Sequence, residues 1–179
     1  NIVSISDGNI KSTVFGGGSS SGEANYNKVI ISGGNITDPV SGGYGNKAAN
    51  NNSVIISGGT IRGFVRGGYA IQKASSNSVI ISDGTIYNDV YGGLAIAGPC
   101  EANKVILVGK DVTYKFTDTQ GTGHTLTGSG NININCAVYG VYGSTHYGNE
   151  IHVYGSDTKV GGIDTFDNLN FYINHKMTY

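Results

Sequence analysis

A ten-residue segment is copied along this chain, and that copying limits its fold more than any other feature. Asn27-Lys28-Val29-Ile30-Ile31-Ser32-Gly33-Gly34-Asn35-Ile36 returns as Asn52-Ser53-Val54-Ile55-Ile56-Ser57-Gly58-Gly59-Thr60-Ile61. It returns again as Asn77-Ser78-Val79-Ile80-Ile81-Ser82-Asp83-Gly84-Thr85-Ile86. Each copy closes on a valine and a glycine pair: Val40 with Gly42-Gly43, Val65 with Gly67-Gly68, Val90 with Gly92-Gly93. A unit this short cannot bury its own apolar side, so it must stack on its copies.

Numbered from the first apolar residue of each unit, the anchors are Val3, Val29, Val54, Val79, Val105, Ile132, Ile151 and Leu169, with steps of 26, 25, 25, 26, 27, 19 and 18 residues. Two residues later stands a second apolar residue: Ile5, Ile31, Ile56, Ile81, Leu107, Ile134, Val153 and Phe171. The residue between them varies. Period two with a tolerant middle position describes a strand that shows one face to a core. The Ser-Gly-Gly or Ser-Asp-Gly after the strand is corner chemistry. A further apolar pair follows in each long unit, Ile10/Val14, Ile36/Val40, Ile61/Val65, Ile86/Val90 and Val112/Phe116.

The fold expected is all-β: a right-handed parallel β-helix of about eight coils, the first five steps of 25–27 residues and the last two of 18–19. Handedness follows the rule for parallel crossovers. Residues 1–179 are expected to form one β-solenoid domain. Within it, 1–107 are regular long coils, 108–131 an irregular excursion and 132–179 shorter coils. A propeller or sandwich of hairpins is the competing fold, because Asp7-Gly8 and Asp83-Gly84 could serve as two-residue turns.

Asn stands two residues before six of the eight anchors, at Asn1, Asn27, Asn52, Asn77, Asn103 and Asn149. Stacked strands would set these amides one above another as a hydrogen-bonded ladder. The outward middle slot carries Ile30, Ile55, Ile80 and Ile106, an apolar stripe that either contacts a partner or is covered by another part of the chain. A second outward group is aromatic or cationic. Phe15, Arg66, Tyr91 and Tyr142 precede glycine, and Tyr44 and Tyr69 follow the glycine pair; such side chains suit contacts with protein or sugar. The two cysteines, Cys100 and Cys136, either are free or form one clip between neighbouring coils. A clip requires their Cα atoms to lie roughly 4.4–6.8 Å apart.

These units resemble the repeats of bacterial surface proteins of the autotransporter-passenger and β-helical adhesin type. The likeness rests on Asn-x-Val-x-Ile-Ser-Gly-Gly-x-Ile…Val-x-Gly-Gly-Tyr, clearest in 27–44 and 52–69. It covers 1–93 well and 103–116 and 149–162 loosely. It implies export, display outside the cell and a role in adhesion or aggregation. The opening at Asn1, inside a repeat and without Met, reads as a processed or excised piece of something longer.

Net charge is −1 and the basic residues are scattered, which argues against nucleic acid as a partner. No apolar run approaches the roughly 20 residues that cross a bilayer, so no membrane insertion by this segment is expected. Zinc spacing, phosphate loops and nucleophile elbows are absent from the sequence. Only Glu23, Glu101 and Glu150 are glutamates, and no carboxylate cluster recurs at matching offsets. No catalysis, metal or cofactor is therefore expected. The leading expectation is an extracellular surface scaffold that acts through self-association or contact with a host or matrix protein or glycan. A fibre subunit stacking through open solenoid ends and a polysaccharide-active enzyme are the alternatives.

Overall fold

A computed structural model describes residues 1–172. It is all-β, a solenoid-like stack of parallel strands that winds nearly closed around one apolar core. First strands Ile2–Ile5, Lys28–Ile31, Ser53–Ile61, Ser78–Ile86, Lys104–Val108, Glu150–Tyr154 and Asn168–Tyr172 pair in sequence, parallel and in register. Val3, Val29, Val54, Val79, Val105, Ile151 and Leu169 thus form one column. Second strands align Ile10, Ile36, Ile61, Ile86, Ile134 and Val160. Third strands align Val14, Val40, Val65, Val90, Val138 and Ile163. Each complete inner coil sends four aliphatic side chains into the core, for example Val54, Ile56, Ile61 and Val65, all fully buried. On an apolar-transfer basis each contributes about 1.5–3 kcal/mol.

This register revises the coil count. Ile132 lies beside Gly84 and Ile134 beside Ile86, so Ile132 belongs to a second strand and begins no coil. The coils start instead at Asn1, Asn27, Asn52, Asn77, Asn103 and Asn149, and a seventh starts at Asp167. The fifth coil is 46 residues long and the sixth 18. The Ile132-x-Ile134 pattern has the same inward period as a first strand. It lacks the asparagine two residues earlier, where Gly130 stands.

The extra length of coil 5 is a hairpin. Thr113–Thr117 and Gly123–Thr127 pair antiparallel with each other, and neither strand joins the solenoid ladders. Val112 and Phe116, read from the sequence as an inward pair of the coil, lie in this insertion. It is the one antiparallel strand pair among the described strands.

Candidate interaction face

The asparagine column gives the wall its register. Asn27 Nδ2 donates to Asn52 Oδ1 at 3.0 Å, Asn52 Nδ2 to Asn77 Oδ1 at 3.1 Å, Asn77 Nδ2 to Asn103 Oδ1 at 3.0 Å and Asn103 Nδ2 to Asn149 Oδ1 at 3.1 Å. Asn1 Nδ2 starts the series on Asn27 Oδ1 at 2.9 Å. The same oxygens accept the backbone N–H of the preceding asparagine. The second amide hydrogen goes to a backbone carbonyl, Ala24 for Asn52, Ala49 for Asn77 and Ala74 for Asn103. From asparagine to asparagine the donation runs towards the carboxy terminus, so a residue that only accepts can close the series. Asp167 does so, taking the backbone N–H of Asn149 at 2.9 Å.

The glycine pairs belong to the same device. A Cβ on Gly43 would stand 2.7 Å from the Asn52 amide, one on Gly68 2.6 Å from Asn77 and one on Gly93 2.7 Å from Asn103. The asparagine side chain occupies the volume that a side chain on the facing strand would need. Tyr26, Asn51, Ser76 and Ala102, each just before a ladder asparagine, hold the left-handed corner at φ 52–57°.

The isoleucine column is not an exposed surface, which corrects the expectation that it offers a contact stripe. Ile55, Ile80 and Ile106 are 1 %, 2 % and 6 % exposed, and Ile30 is half-buried. Tyr114, Phe116 and Leu126 of the hairpin pack on Ile80, Ile106 and Val108, with Val112 and Tyr154 at its base. The covering segment comes from coil 5 and lies back over earlier coils. At its tip Asp118 pairs with Lys28 of coil 2, both essentially buried. His124 Nε2 lies 2.6 Å from Asp118 Oδ2, and the N–H groups of Gln120 and Thr122 donate to Asp118 Oδ1 at 2.8 and 2.9 Å. Burial opposes ionisation of Asp118. Lys28, His124 and the two N–H groups outweigh it and hold the carboxyl far below its ordinary range.

A face that stays accessible runs along the third strands. One column is Phe15, Ser41, Arg66, Tyr91, Tyr139 and Asp164. The next is Gly18, Tyr44, Tyr69, Leu94 and Tyr142. Tyr142 therefore stands with Tyr44 and Tyr69; Tyr139, which the sequence reading passed over, takes the place beside Tyr91. Val138-Tyr139-Gly140 repeats the valine–aromatic–glycine order of Val90-Tyr91-Gly92, but so does Val141-Tyr142-Gly143, and the register chooses between them.

Ring centroids are 5.5 Å apart for Phe15–Tyr44, 5.3 Å for Tyr44–Tyr69 and 5.1 Å for Tyr91–Tyr139. Arg66 bridges the two series, its guanidinium 4.6 Å from the Tyr69 ring centre and 5.3 Å from that of Phe64, which in turn lies 6.2 Å from Tyr91. The result is one strip from coil 1 to coil 5. Tyr91 and Tyr139 lie within 12° of parallel, so their faces meet each other. Burial pushes the Tyr91 hydroxyl up to about 12, helped by Asp89, whose Oδ2 accepts from it at 3.3 Å. Among the described residues no carboxylate lies within ion-pair distance of Arg66, and its buried Nε has no acceptor. Burial lowers the Arg66 pKa against the pull of Tyr69 and Tyr91, yet a guanidinium stays charged at neutral pH.

Cys100 and Cys136 are both free thiols, so the proposed clip does not form. Cys100 is fully buried with Ala74, Ala95 and Val141, and burial pushes its thiol up to about 11. Cys136 lies on the far stretch of coil 5, its Sγ 3.4 Å from the Tyr87 carbonyl. Among the described residues no group of three or more His, Cys, Asp or Glu is arranged to hold a metal ion, and no helix is long and apolar enough to cross a membrane. Comparison with known protein families, with curated proteins and with solved structures returned no match for this chain.

Proposed function

We propose that this chain is an exported, non-catalytic binding scaffold of the right-handed parallel β-helix type, and that its aromatic–arginine strip engages an extended acidic polysaccharide. The observation that carries the reading is Arg66, a cation with no carboxylate partner among the described residues, set in a continuous strip of rings that follows the solenoid axis. A polymer lying along that axis would meet rings, hydroxyls and the guanidinium, which favours hydrogen bonding and charge over stacking. The repeat's likeness to surface adhesins supports export and an extracellular or cell-surface setting. The scarcity of carboxylates at matching offsets supports binding without cleavage.

The test uses the whole chain against immobilised polygalacturonate, with dextran as a neutral control. Binding that weakens with salt and falls about tenfold or more in Arg66→Ala is expected, with a smaller loss in Tyr69→Ala. Undiminished binding by Arg66→Ala, or equal capture by dextran, would remove the strip from consideration. Preferential binding of polyglutamate would move the partner from glycan to protein. Shortening of the polygalacturonate during incubation would overturn the non-catalytic reading.

A further inference from the structure

We propose that the hairpin of coil 5 is a clasp that couples coils 2 to 4 to coil 5, with the buried Lys28–Asp118 pair as its lock. In a stack of this kind each coil touches only the coils before and after it, so opening proceeds from an end, one interface at a time. The ladder bonds here follow that rule, joining residues 25 or 26 apart through the first four steps. The hairpin breaks it. Lys28 meets Asp118 across 90 residues, Gln120 Nε2 donates to Tyr26 O across 94, and Thr119 Oγ1 donates to Asn51 O across 68.

Three features show that the clasp is a separable element and no rung of the wall. Its two strands pair only with each other. Its inner row, Tyr114, Phe116 and Leu126, is held to the solenoid by side-chain packing. Its tip reaches the carbonyls of Tyr26 and Asn51, the left-handed corners that lead into the ladder at Asn27 and Asn52. Coil 2 therefore cannot peel away without either breaking the lock or lifting the hairpin off Ile80 and Ile106. The strands of coil 1 lie beyond the lock and pair with coil 2, and the clasp bond at the Tyr26 carbonyl touches only the last residue of that coil. The clasp thus divides the amino-terminal half into first-coil strands outside the lock and a coupled block.

Amide hydrogen exchange on the full chain reads this directly. In the unaltered protein, amides of Lys28–Ile31, the first strand of coil 3 and the first strand of coil 4 should exchange at one common slow rate, and those of Ile2–Ile5 faster. In Lys28→Met and in Asp118→Asn, exchange should accelerate at least tenfold in coil 2 and progressively less in coils 3 and 4. Glu150–Tyr154 should keep its protection. A uniform acceleration in every coil would mean that the pair merely adds stability, and an unchanged pattern would mean that the hairpin carries no coupling; either result overturns the proposal. Should the lock variants fail to fold, Thr119→Ala combined with Gln120→Ala loosens the tip without stranding a buried charge. The same gradient is then expected at smaller amplitude, and its absence is equally decisive.

Discussion

Coils 2 to 4 and coil 5 keep polar groups inside a crowded β wall by different means. In coils 2 to 4 each buried asparagine is satisfied by its own copy one step away, and Asn52 and Asn77 also by a carbonyl of the preceding coil. The same side chain stands against the glycine pair, so one repeated residue type answers hydrogen bonding and packing together. Coil 5 keeps the ladder through Asn103 and Asn149 but carries an insertion whose polar anchor is unique. Lys28 in coil 2 is buried against Asp118, which arrives from a hairpin 90 residues away. Repetition makes local errors detectable in every copy, whereas a single long-range pair has no copy to announce it.

Four expectations press on that contrast, the largest first. Asn77→Ala removes an acceptor from the backbone and side-chain amides of Asn52 and a donor from the Ala49 carbonyl, all buried. At about 1–3 kcal/mol for each stranded group, it should cost several kcal/mol in urea unfolding, while Asn1→Ala at the exposed end should cost under about 1 kcal/mol. Equal losses at the two positions would mean that the ladder is not what organises the wall.

Second, Asp118→Asn should destabilise the chain by about 3–5 kcal/mol, because Lys28 is left as an unpaired buried charge. The clasp also has a defined acid response. The Asp118 pKa is depressed on folding, so its stabilisation is complete above the unfolded value of about 3.9 and is lost as pH falls below it towards the lower folded value. Urea midpoints should thus be flat on this account from pH 5 to 7 and drop below about pH 4. Asp118→Asn should lose that part of the decline, and an unaltered acid slope would separate the pair from acid stability.

Third, Ile80→Ala should lower stability by about 2–5 kcal/mol, as for other buried aliphatic truncations, without changing particle mass in sedimentation. A change in association with little loss of stability would restore the column as a contact surface. Fourth and smallest, Ala102→Gly relieves a left-handed corner at φ 52° and should gain up to about 1 kcal/mol. A loss there would mean that the corner is held by its side chain. The thiols give a check without mutation: at pH 8 Ellman's reagent should titrate Cys136 rapidly and Cys100 only after unfolding, since Cys100 is fully buried and its thiol is raised to about 11.

Much of the wall could be read from the residues. Inward columns such as Val29/Val54/Val79 and Ile31/Ile56/Ile81 follow from period two within a strand and a constant step between strands. The ladder follows from asparagine at a constant offset, and Asp167 fits that offset too, two residues before Leu169. Misreadings came where a local pattern had two homes. Ile132-x-Ile134 copies the inward period of a first strand while sitting in a second. Tyr142 and Tyr139 both precede glycine, and only the register separates them. The alternation in Tyr114-x-Phe116 and His124-x-Leu126, around an Asp-Thr-Gln-Gly turn, marks a hairpin in retrospect.

The sequence by itself determined the coil, because a repeat of fixed length carries its own contacts: whatever fits one copy fits the next. It determined the inward face, the asparagine series and the corners for the same reason. Only the tertiary structure decided what covers Ile80 and Ile106, which tyrosines share a column, and that Lys28 and Asp118 meet. Those outcomes depend on where a non-repeated hairpin lands, and a contact made once between segments 90 residues apart leaves no periodic trace in the chain.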